Sequence, residues 1–375
     1  MAGIYIHIPF CKQACHYCNF HFSTDQSRIS IVVDTIIEEL RDRRHFLSDE
    51  TIETIYFGGG TPSILSKGQL VQIFDAIATN FHITDHPEIT LEANPDDVTS
   101  KKLDTWKDVG ITRISLGIQS LHDDDLVFMN RAHASRDCLH SLDLLLKDKT
   151  FEISVDLIFG YEGLTTEKLQ HNLQYLTSKD IDHMSCYAMT IEPKTVFNHR
   201  LHKGDLKEME DSIVSDQFKL VNDALSDHGF EHYEISNYCK NEKYAKHNTS
   251  YWQGRKYLGI GPSAHSFDGE RRYWNVANNA AYIAAIQKKH GATEEETLSL
   301  VDKYNEYILT GLRTKWGLSV SRLKKIDPDI FKYFQQESVH YFEEKQLILT
   351  DDIVTIHHDF WPVADRICSD LFMLN

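Results

Sequence analysis

Apolar strand-like segments alternate with amphipathic helix-like segments over the first 226 residues of this chain. Their periodicity predicts strands at 3–10, 54–57, 88–93, 113–118, 152–159 and 183–189. It predicts helices at 28–46, 66–81, 100–109, 135–146, 167–176 and 210–226. Strands that alternate with helices form parallel sheets with right-handed crossovers in nearly all proteins. The chain is therefore expected to form either an open doubly wound sheet or an incomplete barrel.

The polar residues of these segments lie at the carboxyl ends of successive strands. They are Gly58 to Thr61, Glu92, Asn94, Gln119, Asp156, Ala188 and Thr190. A barrel gathers the carboxyl ends of its strands around one mouth, where active sites of (β/α)8 barrels lie. We therefore predict an α/β fold in which residues 1–228 form a partial (β/α)6 barrel of the TIM type.

The regular alternation stops near residue 226, and the remaining chain has a different character. Residues 229–296 are rich in Tyr, His, Asn and Gly, which favours irregular connecting loops that bear a binding surface. Residues 297–375 contain three helical patterns followed by a hairpin pattern at 347–356. This last segment is predicted to be a mainly helical, winged-helix-like domain.

Charge and composition exclude several classes of protein. The formal net charge is −17 with no block rich in Lys or Arg, so the backbone of a nucleic acid would be repelled. No apolar run is long enough to cross a bilayer, and the chain does not begin like a signal peptide. The seven cysteines are an odd number and do not resemble a disulfide framework. We expect a cytoplasmic protein with at most peripheral membrane contact.

Three of the cysteines, Cys11, Cys15 and Cys18, lie within eight residues directly after the first predicted strand. Thiolates are soft ligands that suit iron–sulfur clusters and zinc. Three ligands would leave one iron of a 4Fe-4S cluster open for chemistry. A structural zinc site completed by His16 or His21, or a set of inert buried cysteines, is the alternative.

The spacing C-x3-C-x2-C, with an aromatic residue before the last cysteine, resembles the radical S-adenosylmethionine superfamily. This resemblance implies a 4Fe-4S cluster held by the three cysteines, with its open iron chelated by S-adenosylmethionine. Further segments that resemble the superfamily are 58–62, 91–95, 116–120, 130–131 and 155–158. The residues that the resemblance places around S-adenosylmethionine are Tyr5, Tyr17, Gly59, Gly60, Thr61, Glu92, Gln119, Arg131, Asp156 and Ala188.

The same segments and the C-terminal module resemble the anaerobic coproporphyrinogen oxidase-like branch of that superfamily. Its oxidases carry another cysteine where this chain has Phe20, and they have an extension ahead of the first strand, whereas Cys11 here is almost terminal. In lacking both of these features, the chain resembles the HemW-type haem chaperones. The alternative is a coproporphyrinogen III oxidase that decarboxylates propionates by radical chemistry, and we do not expect that activity.

A second motif, His247-Asn248-x-x-Tyr251-Trp252, resembles the HNxxYW haem-binding motif of those chaperones. Imidazole is a common axial ligand of haem iron, and Tyr and Trp offer flat amphipathic surfaces. The resemblance implies binding of haem b by these four residues, with His265 and Cys239 as candidate second ligands. It also implies delivery to respiratory haemoproteins, with a haem donor such as bacterioferritin and a second copy of the chain as candidate partners.

One segment departs from the family pattern. Residues 160–163 read Gly-Tyr-Glu-Gly where relatives usually read Gly-Leu-Pro. The loop after Asp156 is therefore expected to close the mouth differently, without affecting the cofactor site.

Overall fold

A computed structural model describes residues 2–47, 50–289 and 293–374. It contains the six predicted parallel strands, each followed by at least one helix. The strands are β1 (Ala2–Ile8), β2 (Ile52–Gly59), β3 (Ile83–Ala93), β4 (Arg113–Gln119), β5 (Glu152–Phe159) and β6 (His183–Ala188). The helices are α1 (Ile29–Asp42), α2 (Lys67–Asn80), α3 (Ser100–Asp108), α4 (Asp123–Phe128), α5 (Ser135–Asp148), α6 (Thr166–Thr177), α7 (Val196–Lys203) and α8 (Asp211–Ser226).

The order of the strands distinguishes a barrel from a doubly wound sheet. Strands β1 to β6 are neighbours in chain order, and each pairs in parallel with the next. A doubly wound sheet would reverse its order at a switch point, and none occurs along these six strands. The sheet therefore winds in one direction, and in the described residues its two end strands do not pair. The prediction of a partial barrel is confirmed.

Local sequence signals explain where the helices lie. At the start of α2, Ser66 Oγ accepts a hydrogen bond from Gln69 N (3.3 Å), and Gln69 Oε1 accepts one from Ser66 N (2.9 Å). This is the predicted capping box. Helix α1 buries Val33, Ile36 and Leu40 at helical spacing. The short helices α4 and α7 have no extended periodicity and were not predicted.

The region between residues 229 and 296 was predicted to be irregular, and that prediction was wrong. It contains β7 (Glu231–Glu234), β8 (Asn237–Cys239), α9 (Lys246–Trp252), β9 (Tyr257–Ile260), β10 (His265–Phe267), β11 (Arg271–Asn275), α10 (Asn279–Gln287) and β12 (Thr293–Thr297). The strands extend both edges of the barrel sheet to the order β12-β11-β10-β9-β1-β2-β3-β4-β5-β6-β8-β7. They are only three to five residues long, too short to show a clear period.

Strand β9 is the structurally important addition, because it pairs in parallel with the free edge of β1. The register runs from Gly3 opposite Tyr257 to Ile6 opposite Ile260. The main hydrophobic core includes Leu258 and Ile260, so both sheet and core continue past residue 228. The division of the chain at residues 228 and 296 remains a prediction.

The C-terminal segment forms a small module with its own core. It consists of α11 (Leu300–Leu312), β13 (Leu318–Ser319), α12 (Val320–Ile326), α13 (Pro328–Glu337), α14 (Val339–Glu343), β14 (Leu347–Thr350), β15 (Ile353–Ile356) and α15 (Ala364–Asp370). Three strands in the order β13-β15-β14 pack with the helices around Tyr304, Leu323 and Val354. This is the predicted winged-helix-like arrangement. Among the residues described, no helix is both long enough and apolar enough to cross a bilayer.

Candidate functional site

The three clustered cysteines lie on a loop that is fixed against the segment after α4. His16 N donates a hydrogen bond to Met129 O (3.0 Å), and its ring Nδ1 bonds Phe128 O (3.0 Å). Asn130 Nδ2 donates to Ala14 O (2.7 Å). The loop is therefore held by contacts more than a hundred residues away in the chain, at the mouth of the barrel.

Arg131 is the side chain that joins this loop to the strand ends. Its NH1 donates to Tyr17 OH (3.2 Å) and to Cys15 Sγ (3.3 Å). Its NH2 donates to Asn94 Oδ1 (2.7 Å) and to Gly117 O (3.0 Å). Its Nε is buried and has no partner within the described part of the chain. A guanidinium beside the thiols favours their ionised form.

The thiols themselves are partly buried and free of disulfides. Burial raises the pKa of Cys18 to about 11 and raises the pKa of Cys11 as well. Burial therefore outweighs the nearby guanidinium of Arg131 at Cys11 and Cys18, which are protonated at neutral pH, and metal binding would release their protons. In residues 2–47, 50–289 and 293–374, no three His, Cys, Asp or Glu side chains are gathered around a single ion position. Cluster binding by these cysteines remains a prediction from their donor chemistry and spacing.

The glycines at the end of β2 clamp the start of the cysteine loop. Gly60 N donates to Ile8 O (2.9 Å), and Thr61 N donates to Phe10 O (2.7 Å). A Cβ on Gly60 would lie 2.6 Å from both of those carbonyl oxygens, which leaves no room for a side chain. Gly59 has a φ of 100°, a conformation that glycine adopts readily. These close approaches confirm a structural need for glycine here, whatever ligand the strand end binds.

Two carboxyl groups face the interior of the barrel. Glu92 accepts hydrogen bonds from Tyr56 OH (2.8 Å) and from Gly59 N (3.2 Å). Asp156 accepts one from Ser115 Oγ (3.2 Å). Burial raises the pKa of Glu92 to about 7 and that of Asp156 to about 6. Both groups therefore change ionisation close to neutral pH, where a cationic or hydrogen-bond-donating ligand would favour the carboxylate.

The raised pKa of Glu92 predicts a pH-dependent contribution to stability. Its folded pKa of about 7 exceeds the ordinary value of 4.5, so its stabilising effect is complete below pH 4.5 and is lost as pH rises through 7. The difference in free energy of unfolding between the wild type and Glu92→Gln should fall by about 3 kcal/mol over that range. Urea denaturation of both proteins without cofactor, from pH 4.5 to 8, measures it.

The difference between the two proteins is the informative quantity. Burial lowers the pKa of His7 and His133 to about 4, and such groups change stability in the opposite direction. They contribute equally to the wild type and to Glu92→Gln, so the subtraction removes them. A difference that stays constant with pH would show that Glu92 titrates normally in the folded chain.

Gln119, at the end of β4, combines a strained backbone with a side-chain oxygen that, within the described residues, has no hydrogen-bond donor, and both features are typical of ligand sites. Its φ is 66°, which is unusual for a residue other than glycine. Its side-chain Oε1 is buried and lacks a hydrogen-bond partner in the part of the chain that is described. A Cβ on the neighbouring Gly117 would approach Gln119 Nε2 at 3.0 Å and Arg131 NH2 at 3.2 Å. The mouth thus presents a buried acceptor that no donor of the described residues satisfies.

The residue His247 lies on α9 and not in a loop as predicted. Its ring is buried, 1% exposed, and stacks on Tyr56 with 5.1 Å between ring centroids. Its Nδ1 is bonded to Thr54 Oγ1 and its Nε2 to Tyr251 OH, both at 2.8 Å. Burial lowers its pKa to about 3, so the ring is neutral. Both nitrogens are engaged, and His247 as an iron ligand remains a prediction that requires one of these bonds to break.

The other residues of that motif line a cavity of about 1000 Å³. Asn248, Tyr251 and Trp252 reach it from α9, and His265 reaches it from β10. Tyr5 and Phe20 connect the same cavity to the barrel interior and to the cysteine loop. Ligand cavities of proteins range from about 300 to 1,000 Å³, so this one suits a large ligand.

Cys239, a candidate second haem ligand, does not reach this cavity. It is fully buried in β8, where it pairs with His183 and Glu231 on the neighbouring strands. Burial raises the pKa of its thiol to about 12. Its candidacy as a ligand is therefore withdrawn, because the thiol is neither accessible nor ionised.

The unusual loop at 160–163 packs away from the large cavity. Tyr161 is buried and stacks on Phe128 with 5.9 Å between ring centroids. Together with Ala188 it lines a separate cavity of about 300 Å³. The departure from the family pattern therefore fills space beside β6 and leaves the large cavity and the cysteine loop unobstructed.

Strand alternation explains which site residues the sequence missed. Tyr56, Ser115 and Thr54 were not predicted, yet each bonds a predicted residue. Tyr56 and Thr54 lie two and four residues before Gly58 on β2, so their side chains point to the same face. The glycine motif and the period of a strand together would have identified them.

Comparison with known proteins shows which family this chain resembles. A model of the Radical SAM superfamily matches residues 5–176. The heme chaperone HemW of Bacillus subtilis is 33% identical over 93% of this chain and 95% of that protein. The heme chaperone HemW of Lactococcus lactis is 31% identical over 92% of this chain and 90% of that protein.

Among solved structures, the coproporphyrinogen III oxidase HemN from Escherichia coli is similar over nearly the whole chain. It superposes with a TM-score of 0.85, covers 99% of this chain and 90% of its own, and is 18% identical. At that identity the match shows a common fold, including the C-terminal module, and nothing about activity.

Proposed function

We propose that this protein binds haem b and delivers it to respiratory haemoproteins. The chain belongs to the HemW family of haem chaperones and carries a Radical SAM domain. The observation that supports this proposal is the cavity beside the cysteine loop, whose wall carries Asn248, Tyr251 and Trp252. Aromatic walls suit a flat apolar macrocycle, and polar groups fix its orientation.

The mouth of the barrel fits a 4Fe-4S cluster and S-adenosylmethionine, which the Radical SAM domain implies. Cys11, Cys15 and Cys18 provide three soft donors, the number that leaves one iron of a 4Fe-4S cluster open. The orphaned oxygen of Gln119 and the carboxyl group of Glu92 are acceptors for a ligand with amino and hydroxyl groups. When bound, the cluster supplies one electron to the sulfonium of S-adenosylmethionine; the residues named here only bind and orient.

Haem titration tests the binding step directly. Ferric haem is added to protein with a reconstituted cluster, and absorbance and gel filtration measure the bound haem. We expect saturable binding of haem, weakened in His247→Ala while the iron–sulfur content is unchanged. Absence of saturable binding by the wild type would overturn the proposed function.

Delivery is tested by mixing the haem-loaded protein with membranes that contain haem-free respiratory oxidase. We expect haem to leave the chaperone and oxidase activity to appear faster than with the same concentration of free haem. Equal rates from free haem would show storage without delivery. The same assay accepts a haem donor, for example bacterioferritin, in place of added haem. Gel filtration of the protein tests for a homodimer. The proposal also includes a cytoplasmic site of action.

The shared fold with a coproporphyrinogen oxidase makes one negative prediction necessary. Phe20, 66% exposed at the edge of the cavity, stands where those enzymes carry another cysteine. We therefore expect that reduced protein incubated anaerobically with S-adenosylmethionine and coproporphyrinogen III forms no protoporphyrinogen. Chromatography of the oxidised porphyrins measures this, and sustained formation over many turnovers would favour the enzymatic alternative.

A further inference from the structure

The large cavity is bounded by two parts of the chain that were predicted to be separate. Strands β10 and β9 of the large sheet contribute His265 and Tyr257, and α9 contributes Trp252. The C-terminal module contributes Lys303 from α11 and Arg322 from α12. A ligand that fills this space contacts both parts, so its orientation depends on which groups each part presents.

His7, His21 and His265 line the cavity, and His247 bonds Tyr251 in its wall. These histidines differ in the availability of their ring nitrogens: both are engaged in His7, and Nε2 is engaged in His21. Both nitrogens of His247 are engaged, with Thr54 and Tyr251. His265 lines the cavity, is exposed, and makes no side-chain hydrogen bond among the residues described. Its ring is held by stacking on Trp274, with 6.3 Å between centroids. An axial ligand needs a nitrogen lone pair that points into open space, and His265 offers one without breaking a bond.

Two of the cations that line the cavity have no carboxylate partner in the described part of the chain. Arg272 is paired with Glu306 (2.9 Å) and Arg255 with Glu53 (2.9 Å). In residues 2–47, 50–289 and 293–374, Lys303 and Arg322 form no ion pair; Arg322 lies over the ring of Tyr307 at 4.6 Å. Unpaired cations at one cavity are unusual in a chain with a net charge of −17. They are suited to a carboxylate-bearing ligand.

Resting on the proposed function, we infer that haem occupies this cavity with His265 as its axial ligand and with its propionates at Lys303 and Arg322, while His247 acts as a positioning residue for Tyr251. The imidazole comes from β10 of the large sheet and the cations come from the C-terminal module. Haem thereby bridges the two parts. Release to an acceptor requires either the iron bond or the propionate contacts to open first.

Axial ligation is tested with His265→Gly, His247→Ala and the control His82→Ala, an exposed histidine before β3. Loss of groups that merely orient a metal ligand costs about 10- to 100-fold in affinity, so loss of the ligand itself should cost at least roughly tenfold. We expect His265→Gly to lose the ferric electron paramagnetic resonance signal of wild-type haem protein and to regain it when free imidazole is added. His247→Ala should bind more weakly but keep the wild-type signal.

The outcomes separate this inference from the proposed function. If wild-type protein takes up no haem, the proposed function fails and the inference with it. If wild type binds haem and His265→Gly keeps both affinity and signal, only the inference is overturned. A signal lost in His247→Ala and kept in His265→Gly would assign the ligand to His247 instead.

The propionate contacts are tested by comparing haem with its dimethyl ester, whose propionates carry no charge. Wild type should bind the ester about three- to tenfold more weakly than haem. The double variant Lys303→Gln/Arg322→Gln should bind both compounds equally. The control Lys325→Gln, at an exposed position on the helix that carries Arg322, should bind haem more tightly than the ester, as wild type does. Full discrimination by the double variant would place the propionates elsewhere.

Discussion

Replacing Arg131 by methionine should abolish stable assembly of the iron–sulfur cluster. The guanidinium is buried between Cys15, Tyr17 and Asn94 and bonds all three. Removing the guanidinium leaves its partly buried acceptors without a donor, which costs about 1–3 kcal/mol for each unsatisfied group. If that cost falls on the loop that holds the thiols, the affinity for the cluster decreases by about two orders of magnitude or more.

Iron and sulfide analysis after anaerobic reconstitution measures this effect, and circular dichroism confirms that the variant is folded. The matched control is Arg136→Met, because the side chain of Arg136 is 88% exposed. It should retain the full iron content. A folded Arg131→Met protein that retains the wild-type iron content would show that the cysteine loop is ordered without this arginine.

Replacing Glu39 by alanine should be the most destabilising change outside the barrel mouth. This carboxylate is fully buried on α1. It accepts hydrogen bonds from Tyr282 OH (2.6 Å), Asn275 Nδ2 (2.8 Å) and Gly261 N (2.8 Å), and pairs with Arg43 (3.3 Å). Alanine leaves the buried Tyr282 OH and Gly261 N without an acceptor, while Asn275 and Arg43 keep other acceptors, so we expect a loss of about 3–5 kcal/mol in the free energy of unfolding.

Urea denaturation of Glu39→Ala measures this loss. Asp34→Ala, an exposed acid on the same helix, is the control and should change stability by less than about 0.5 kcal/mol. Because Glu39 fixes the turn after β9 and the end of β11, the variant should also bind haem more weakly through displacement of His265. A loss below about 1 kcal/mol would mean that water replaces the carboxylate.

The sequence predicted those elements whose information is local. The six strands and the capping box at Ser66 follow from hydrophobic period and from side-chain chemistry within a few residues. The partial barrel followed from the position of Glu92, Gln119 and Asp156 at strand ends. Each of these predictions needed only the knowledge that strand ends share one edge of a sheet.

What the sequence did not predict depends on contacts between distant residues. Strand β9 is four residues long, and its identity as a strand is set by pairing with β1, more than 250 positions away. Propensity is a weak guide for strands whose burial is decided by such neighbours. The engagement of His247 by Thr54 and Tyr251 is likewise visible only once α9 is placed on the sheet. A motif identifies residue types, and packing decides which nitrogen is free.

The position of β1 between β2 and β9 has a consequence for the synthesis of the chain. Its neighbours are β2 on one side and β9 on the other, and β9 ends at Ile260. While the ribosome is still translating the first 260 residues, the strand that leads into Cys11 has one edge without a partner. Unpaired edges and late, long-range pairing make nascent chains slow to fold and prone to aggregation. The cysteine loop therefore reaches its final form late in synthesis, and cluster insertion should follow translation rather than accompany it.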